Sequence, residues 1–274
     1  HTAPVVSVQV WYKVGSRNEV KGQNGISHQL EHLMFKGTND RPVQFGRLFS
    51  ALGSQFNAFT SYDETAYFGT VQRDKLEALL ALEADRMENS LVGTEQLKSE
   101  KRVVISELQG YENSPGYRLN RAVMRAAFPN RAYGLSVGGT KADVEKFTVE
   151  QVRNYYQTYY SPENATLVIT GDFATEPVLK VVKETYGKLV KRGHVETGKL
   201  PTASSSSYAA KKAPIVLKQP GSASLLQVVY PLPDIKHPDV PAIVVMDAIL
   251  TGGRSSRLYQ ALVESGLASS ASGG

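Results

Sequence analysis

His28-Gln29-Leu30-Glu31-His32 puts two of the chain's five histidines four residues apart, with a carboxylate between them. On a helix, positions i and i+4 lie about 40° apart, so both imidazoles can reach one cation, and Glu31 at i+3 stands on the same side. That donor set suits zinc. The chain has no cysteine, which excludes disulfides, cysteine nucleophiles, thiolate metal sites and iron–sulfur clusters. A third ligand must then be a histidine or a carboxylate. His1, His194 and His237 sit at the start of the chain, beside a Ser-rich stretch and far along the sequence. The segment from Thr94 offers Glu100 and Glu107, seven residues apart and within about 20° of one helix face. Lys98, Lys101 and Arg102 surround that pair, so a solvated charged face competes with a ligand-bearing one.

The elements that must carry these residues follow from periodicity. Val6, Val8, Val10, Tyr12 and Val14 alternate with polar neighbours as a strand. Ser16 to Gly25 is a polar loop, and Ile26 to Phe35 is a short helix with Ile26, Leu30, Leu33 and Met34 inward. Phe45 to Leu52 gives another short helix, Ala58 to Val71 two strand segments rich in Thr and aromatic residues, and Arg73 to Met87 a helix. Thr94 is read as the N-cap of a long helix ending near Tyr111, before Pro115. Val149 to Tyr160 is helical, Ala165 to Thr170 a buried strand, and Val178 to Val190 helical. Gly138-Gly139-Thr140 reads as a turn, and the Asn164-Ala165-Thr166 sequon enters a buried-looking strand and so is not expected to carry a glycan. The pattern is α+β.

From Gly193 the composition shifts to Ser, Ala, Thr, Lys and Gly, with four serines at 204–207, as in a flexible linker. Beyond it Gln227-Val228-Val229-Tyr230 echoes Gln9-Val10-Trp11-Tyr12, and Gly252 to Gly266 echoes Gly37 to Gly53; the offsets are 227 − 9 = 218 and 252 − 37 = 215. Such a repeat suggests duplication. The expected division is a first domain at 1–200, a linker at 201–214 and the start of a second copy at 215–274. The place matching the histidines in that copy, Val244 to Ala248, has no ligand set. Leu225, Val229, Ile243 and Ile249 are expected to lack packing partners there. Lys and Arg total 31 against 26 acidic residues, a net charge of +5 without a basic run of five, so no nucleic-acid partner is expected. The apolar stretch Ala242 to Leu250 falls short of the roughly 20 residues that span a bilayer, so no membrane span is expected.

Taken with their surroundings, these residues resemble the inverted-zincin metallopeptidases of the pitrilysin and mitochondrial-processing-peptidase family (M16), marked by His-x-x-Glu-His and a glutamate some 75 residues on. Here Glu107 lies 107 − 32 = 75 residues beyond His32. Gly25-Ile26-Ser27, Met34 to Thr38, Asn57 to Thr60, Tyr159 to Pro162, Gly171-Asp172 and Gly252 to Leu258 extend the resemblance along the chain. It implies a mostly antiparallel sheet flanked by helices, duplicated, with an incomplete second copy. It further implies that His28, His32 and Glu107 ligate zinc, that Glu31 is the general base, and that Glu100 supports catalysis by accepting a hydrogen bond from a ligand imidazole. Asn57, Ala58 and Phe59 would bind substrate at a sheet edge. The activity implied is endopeptidase cleavage of extended peptides, with a second half-domain, partner subunit or further copy of the chain completing the site. The resemblance points to a truncated bacterial member acting outside the cytoplasm, in the periplasm. A non-catalytic scaffold or peptide-binding subunit of the same family is the competing reading.

Overall fold

The computed structural model describes residues 3–20, 22–129, 131–192, 214–219, 221 and 223–274. The chain divides into two compact units, His1–Gln227 and Val228–Gly274. Alternation of branched and polar residues makes β1, Val5–Tyr12, a strand with one face buried: Val6, Val8, Val10 and Tyr12 are all 2% exposed or less. It pairs antiparallel with β3 (Thr65–Gln72), from Val5↔Gln72 to Tyr12↔Thr65, and on its other side with β4 (Ala165–Gly171). β2, Gln55–Thr60, completes the sheet against β3, in the order β2-β3-β1-β4.

The buried face of the sheet packs on α1 (Ile26–Leu33), α3 (Leu76–Asn89) and α7 (Val149–Tyr159). In α1, Ile26, Leu30 and Leu33 turn inward, which sends His28 and His32 the other way, toward α4 (Thr94–Glu112). α4 buries Leu97, Glu100, Val104 and Leu108 as one stripe. α2, Phe45–Ala51, closes the core with Phe45 and Phe49.

Several expectations change. Thr94 is the first helical residue of α4; Gly93 is the N-cap and no side chain caps it. Pro115 starts a helix instead of only ending one: Ser114 caps α5 (Pro115–Ala127) by accepting from Tyr117 N, and proline at the first position loses no needed donor. The Gly138-Gly139 turn leads into α6 (Lys141–Lys146) through a reciprocal Thr140–Asp143 cap. β4 is half-buried, as the outer strand of the sheet, and not fully buried. The helix read at Val178 to Val190 is α8, Thr175–Thr185, followed by a 3-10 turn at Tyr186–Lys188. Asn164 is 4% exposed and donates through Nδ2 to Tyr159 O at 2.9 Å, which leaves no room for a glycan.

The linker expected at 201–214 lies, apart from Pro214, outside the described residues, as do His1 and His194. The Gln227 to Tyr230 segment, which echoes part of β1 in sequence, is not a strand and joins no ladder among the described residues. The second unit holds α9 (Val240–Thr251) and a π-helical turn at Tyr259–Glu264. Leu225, Val229 and Ile249 are exposed, as are Val244 and Met246, whereas Ile243, expected to lack partners like them, is half-buried. No described helix is long and apolar enough to cross a membrane.

Candidate functional site

The N-terminus of α1 is built by a residue that the sequence reading missed. Glu19, in the loop before the helix, accepts from Gly25 N (2.8 Å), Asn24 Nδ2 (2.9 Å), Ser27 N (3.0 Å) and Ser27 Oγ (2.8 Å), so its carboxylate satisfies helix-start donors from outside the helix. Burial pushes this carboxyl up to about 7, against the pull of those four hydrogen bonds. Gly25 adopts φ +93°, and a Cβ there would come within 2.3 Å of Gly138 O. Only glycine lets the 134–139 loop close over the start of α1. That loop brings Gly138 beside the imidazole of His28.

α1 and α4 then bring the polar groups together. Glu107 Oε2 lies 3.6 Å from His28 Nε2 and 3.2 Å from His32 Nε2. His28, His32 and Glu107 form the one group among the described residues that could hold a metal ion, their donor atoms all within 4.8 Å of one another. Tetrahedral zinc, with bonds of about 2.0–2.2 Å to nitrogen and oxygen, sets neighbouring donors roughly 3.4 Å apart. The two separations from Glu107, 3.6 and 3.2 Å, fit that ion, and within the 4.8 Å limit a small movement of the imidazoles would complete the set.

Glu100, one of the two candidates for a charged face, is instead buried. Its Oε2 lies 3.4 Å from His32 Nδ1, and its Oε1 pairs with Lys36 Nζ at 2.5 Å. Burial alone would raise its carboxyl, but His32 and Lys36 outweigh that and lower it. Hydrogen bonding to His32 carries Glu107 down to about 2, against desolvation and with help from Tyr111. Burial, and then His32, holds His28 down at about 4, while Glu107 opposes. Burial would lower His32 too, yet its bonds to Glu100 and Glu107 win and lift it to about 9.

Glu31 stands on the same side of α1, its carboxyl raised by burial. Thr60 Oγ1 donates to Glu31 Oε2 at 2.5 Å. Thr60 ends β2, the outer strand on this side of the sheet, which also carries Asn57, Ala58 and Phe59. Ala58 N donates to Asn57 Oδ1 (2.9 Å), and Phe59 packs edge-on against Trp11 with ring centroids 5.5 Å apart. The structure thus ties the end of the edge strand to Glu31, while Asn57 and Phe59 stay exposed. Tyr111, one turn past Glu107 on α4, donates its hydroxyl to Glu107 Oε1. Lys36, Thr60 and Tyr111 were not singled out from the sequence. For Tyr111 and Lys36 the signal was present, since each lies four residues beyond Glu107 or His32.

Beside His28 opens a cleft of about 350 Å³ walled by Tyr62, Leu108, Tyr111, Tyr117, Met124 and Leu135. Arg121 pairs with Glu112 at its rim.

An antiparallel sheet backed by a helix with two imidazoles and a carboxylate on one side, met by a distant glutamate, has the make-up of a metallohydrolase. Residues 1–141 match the family model described as Insulinase (Peptidase family M16), and residues 146–274 match the Peptidase M16 inactive domain. The chain belongs to the M16 peptidase family. Curated relatives include an uncharacterized zinc protease, YmxG, of Bacillus subtilis, 29% identical over 260 residues, and the zinc protease PqqE of Helicobacter pylori, 30% identical over 262. These alignments cover 94% and 95% of this chain but only 62% and 59% of the relatives. The crystal structure of a protease from Helicobacter pylori superposes with a TM-score of 0.77 at 28% identity, covering 97% of this chain and 64% of the other. The periplasmic protease PqqL of Escherichia coli shares the fold, with a TM-score of 0.65 over 70% of this chain. No cluster like that of His28, His32 and Glu107 occurs among the described residues from 146 onward, where the inactive-domain model matches.

Proposed function

We propose that this chain is the metal-bearing part of a zinc endopeptidase that hydrolyses extended peptides. His28, His32 and Glu107 would hold the zinc, Glu31 would be the general base, and Glu100 would fix His32 by accepting from Nδ1. The observation that carries the reading is Glu107 Oε2, within 3.6 Å of one ligand-type nitrogen and 3.2 Å of the other, with Glu31 on the same side of α1. Zinc held by three protein ligands supplies Lewis-acid activation of a water at its open position.

The chain's own residues do the rest. With Oε2 held by Thr60, Glu31 keeps Oε1 to take a proton from the attacking water and to return it to the amine nitrogen as the C–N bond breaks. Burial favours this by making the carboxylate more basic. Asn57, Ala58 and Phe59 on β2 would pair with the main chain of an extended peptide, which gives affinity without reading sequence. The cleft beside His28 suits an apolar or aromatic side chain next to the cleaved bond. In this reading 1–200 form the zinc domain, 201–214 link it onward, and 215–274 begin a second, zinc-free copy. A second half-domain or partner, and a site of action outside the cytoplasm, belong to the same proposal.

Elemental analysis together with cleavage of an unstructured fluorogenic peptide tests it. One zinc per chain, with cleavage lost to a chelator and restored by zinc, is the expected result. Zinc without cleavage at any enzyme concentration would favour a peptide-binding or scaffold subunit, and no zinc uptake would overturn the assignment.

A further inference from the structure

We propose that Tyr111 is a positioning residue for the metal site: its hydroxyl holds Oε1 of Glu107 so that Oε2 alone is offered to the cation. This rests on the reading of His28, His32 and Glu107 as zinc ligands. The two oxygens of Glu107 have different surroundings. Oε2 faces both imidazoles, at 3.6 and 3.2 Å, whereas Oε1 accepts from Tyr111. Spacing explains the second contact, because residues i and i+4 on α4 stand one above the other.

Tyr111 is itself held in place. Its ring stacks on Tyr117 of α5, with centroids 5.6 Å apart and planes 29° from parallel. A tyrosine fixed by a neighbouring helix can in turn fix a carboxylate; a freely swinging side chain cannot. Glu107 needs the restraint, since its side chain is 31% exposed and its terminal torsion is broad and two-fold. Left free, the carboxylate can offer either oxygen or both. Offering both would use up a coordination position that a hydrolytic zinc must keep open.

Two effects of the tyrosine have opposite signs, which makes the idea testable. A hydrogen bond to Oε1 withdraws electron density and makes Glu107 a slightly weaker donor, whereas orienting Oε2 strengthens binding by preorganisation. The proposal is that orientation dominates. Outer partners of metal ligands typically contribute about 10- to 100-fold in affinity, and the exposure of Tyr111 places it near the lower end.

The test compares zinc dissociation constants of wild type, Tyr111→Phe and Tyr111→Gln by competition with a chromogenic chelator, with His28→Ala as the control for site identity. Tyr111→Phe deletes one hydroxyl and keeps the stacked ring, so the fold is preserved. It should weaken zinc binding about tenfold, and Tyr111→Gln, whose amide can still donate one turn back, should recover part of the loss. In the cobalt-substituted proteins, the visible absorption of Tyr111→Phe should lose intensity as coordination number rises. An unchanged or tighter dissociation constant for Tyr111→Phe, with His28→Ala abolishing binding, would overturn the proposal and leave the zinc site standing. Absence of zinc binding by the wild type would overturn both.

Discussion

Glu31→Gln separates metal binding from chemistry, and the structure says why the separation should be clean. The only hydrogen bond described for the Glu31 carboxylate is the one Oε2 accepts from Thr60, at 2.5 Å, and a glutamine carbonyl oxygen can accept the same bond. Glu31 is not in the trio whose donor atoms converge, so zinc stoichiometry should stay at one. Burial already raises the Glu31 carboxyl, which means that the ionised form is held at a cost, and Glu107 adds repulsion. Replacing it by an amide removes that cost, so Tm should not fall. What disappears is the oxygen proposed to take the proton. A positioned general base contributes about 10²- to 10⁴-fold, equivalent to about 3–5 kcal/mol of barrier. The assay is kcat/KM on an unstructured fluorogenic peptide at matched zinc content, with a thermal melt beside it. Turnover within about threefold of wild type, at equal zinc and equal Tm, would remove Glu31 from the mechanism.

His28→Ala and Glu107→Ala should each take zinc below one per chain in elemental analysis, and a stoichiometry still at one in either variant would show that the cation sits elsewhere. Thr60→Val should cost about tenfold in kcat by releasing the base while zinc content and KM hold, with Thr60→Ser restoring the rate; a loss confined to KM would assign Thr60 to substrate binding instead. Glu19 ordinarily titrates at 4.5 but at about 7 in the fold, so between those values the folded chain keeps a proton that the unfolded chain gives up. Its contribution to stability is therefore full below pH 4.5 and declines as pH rises to 7, by on the order of 3 kcal/mol. Wild type should lose stability relative to Glu19→Gln, the isostere of its protonated form, as pH rises over that range, and a difference in melts independent of pH would contradict the assignment.

Local pattern carried most of the first unit. α1, α2 and α7 begin where periodicity put them and end within two residues of it, because each has an apolar stripe facing one core. The misses are local signals with two readings. Pro115 stops one helix and starts the next, and Thr140 followed by Asp143 is both a turn and a cap. In the site, His28, Glu31 and His32 needed only helical geometry, whereas Glu19 and Thr60 reach across loops and strands, contacts that no spacing rule encodes. The segment at 227–230 shows the converse, since likeness to the sequence of a strand makes a strand possible but only a neighbour makes it one.

The seven-residue offset between Glu100 and Glu107 was visible from the start, and its purpose was not. On α4 that offset returns to nearly the same face after a rise of roughly 10.5 Å, too far for both carboxylates to reach one ion directly. It is a span that an imidazole can bridge. His32 lies between them, Nδ1 toward Glu100 and Nε2 toward Glu107. A carboxylate on Nδ1 directs the other nitrogen to a cation. Lys36, paired with Glu100, keeps that carboxylate charged so that it can accept. A charged helix face read from sequence alone offers two equivalent glutamates. Burial and the ring between them make the two unequal, one buried beside Nδ1 of the imidazole and the other half-exposed beside its Nε2.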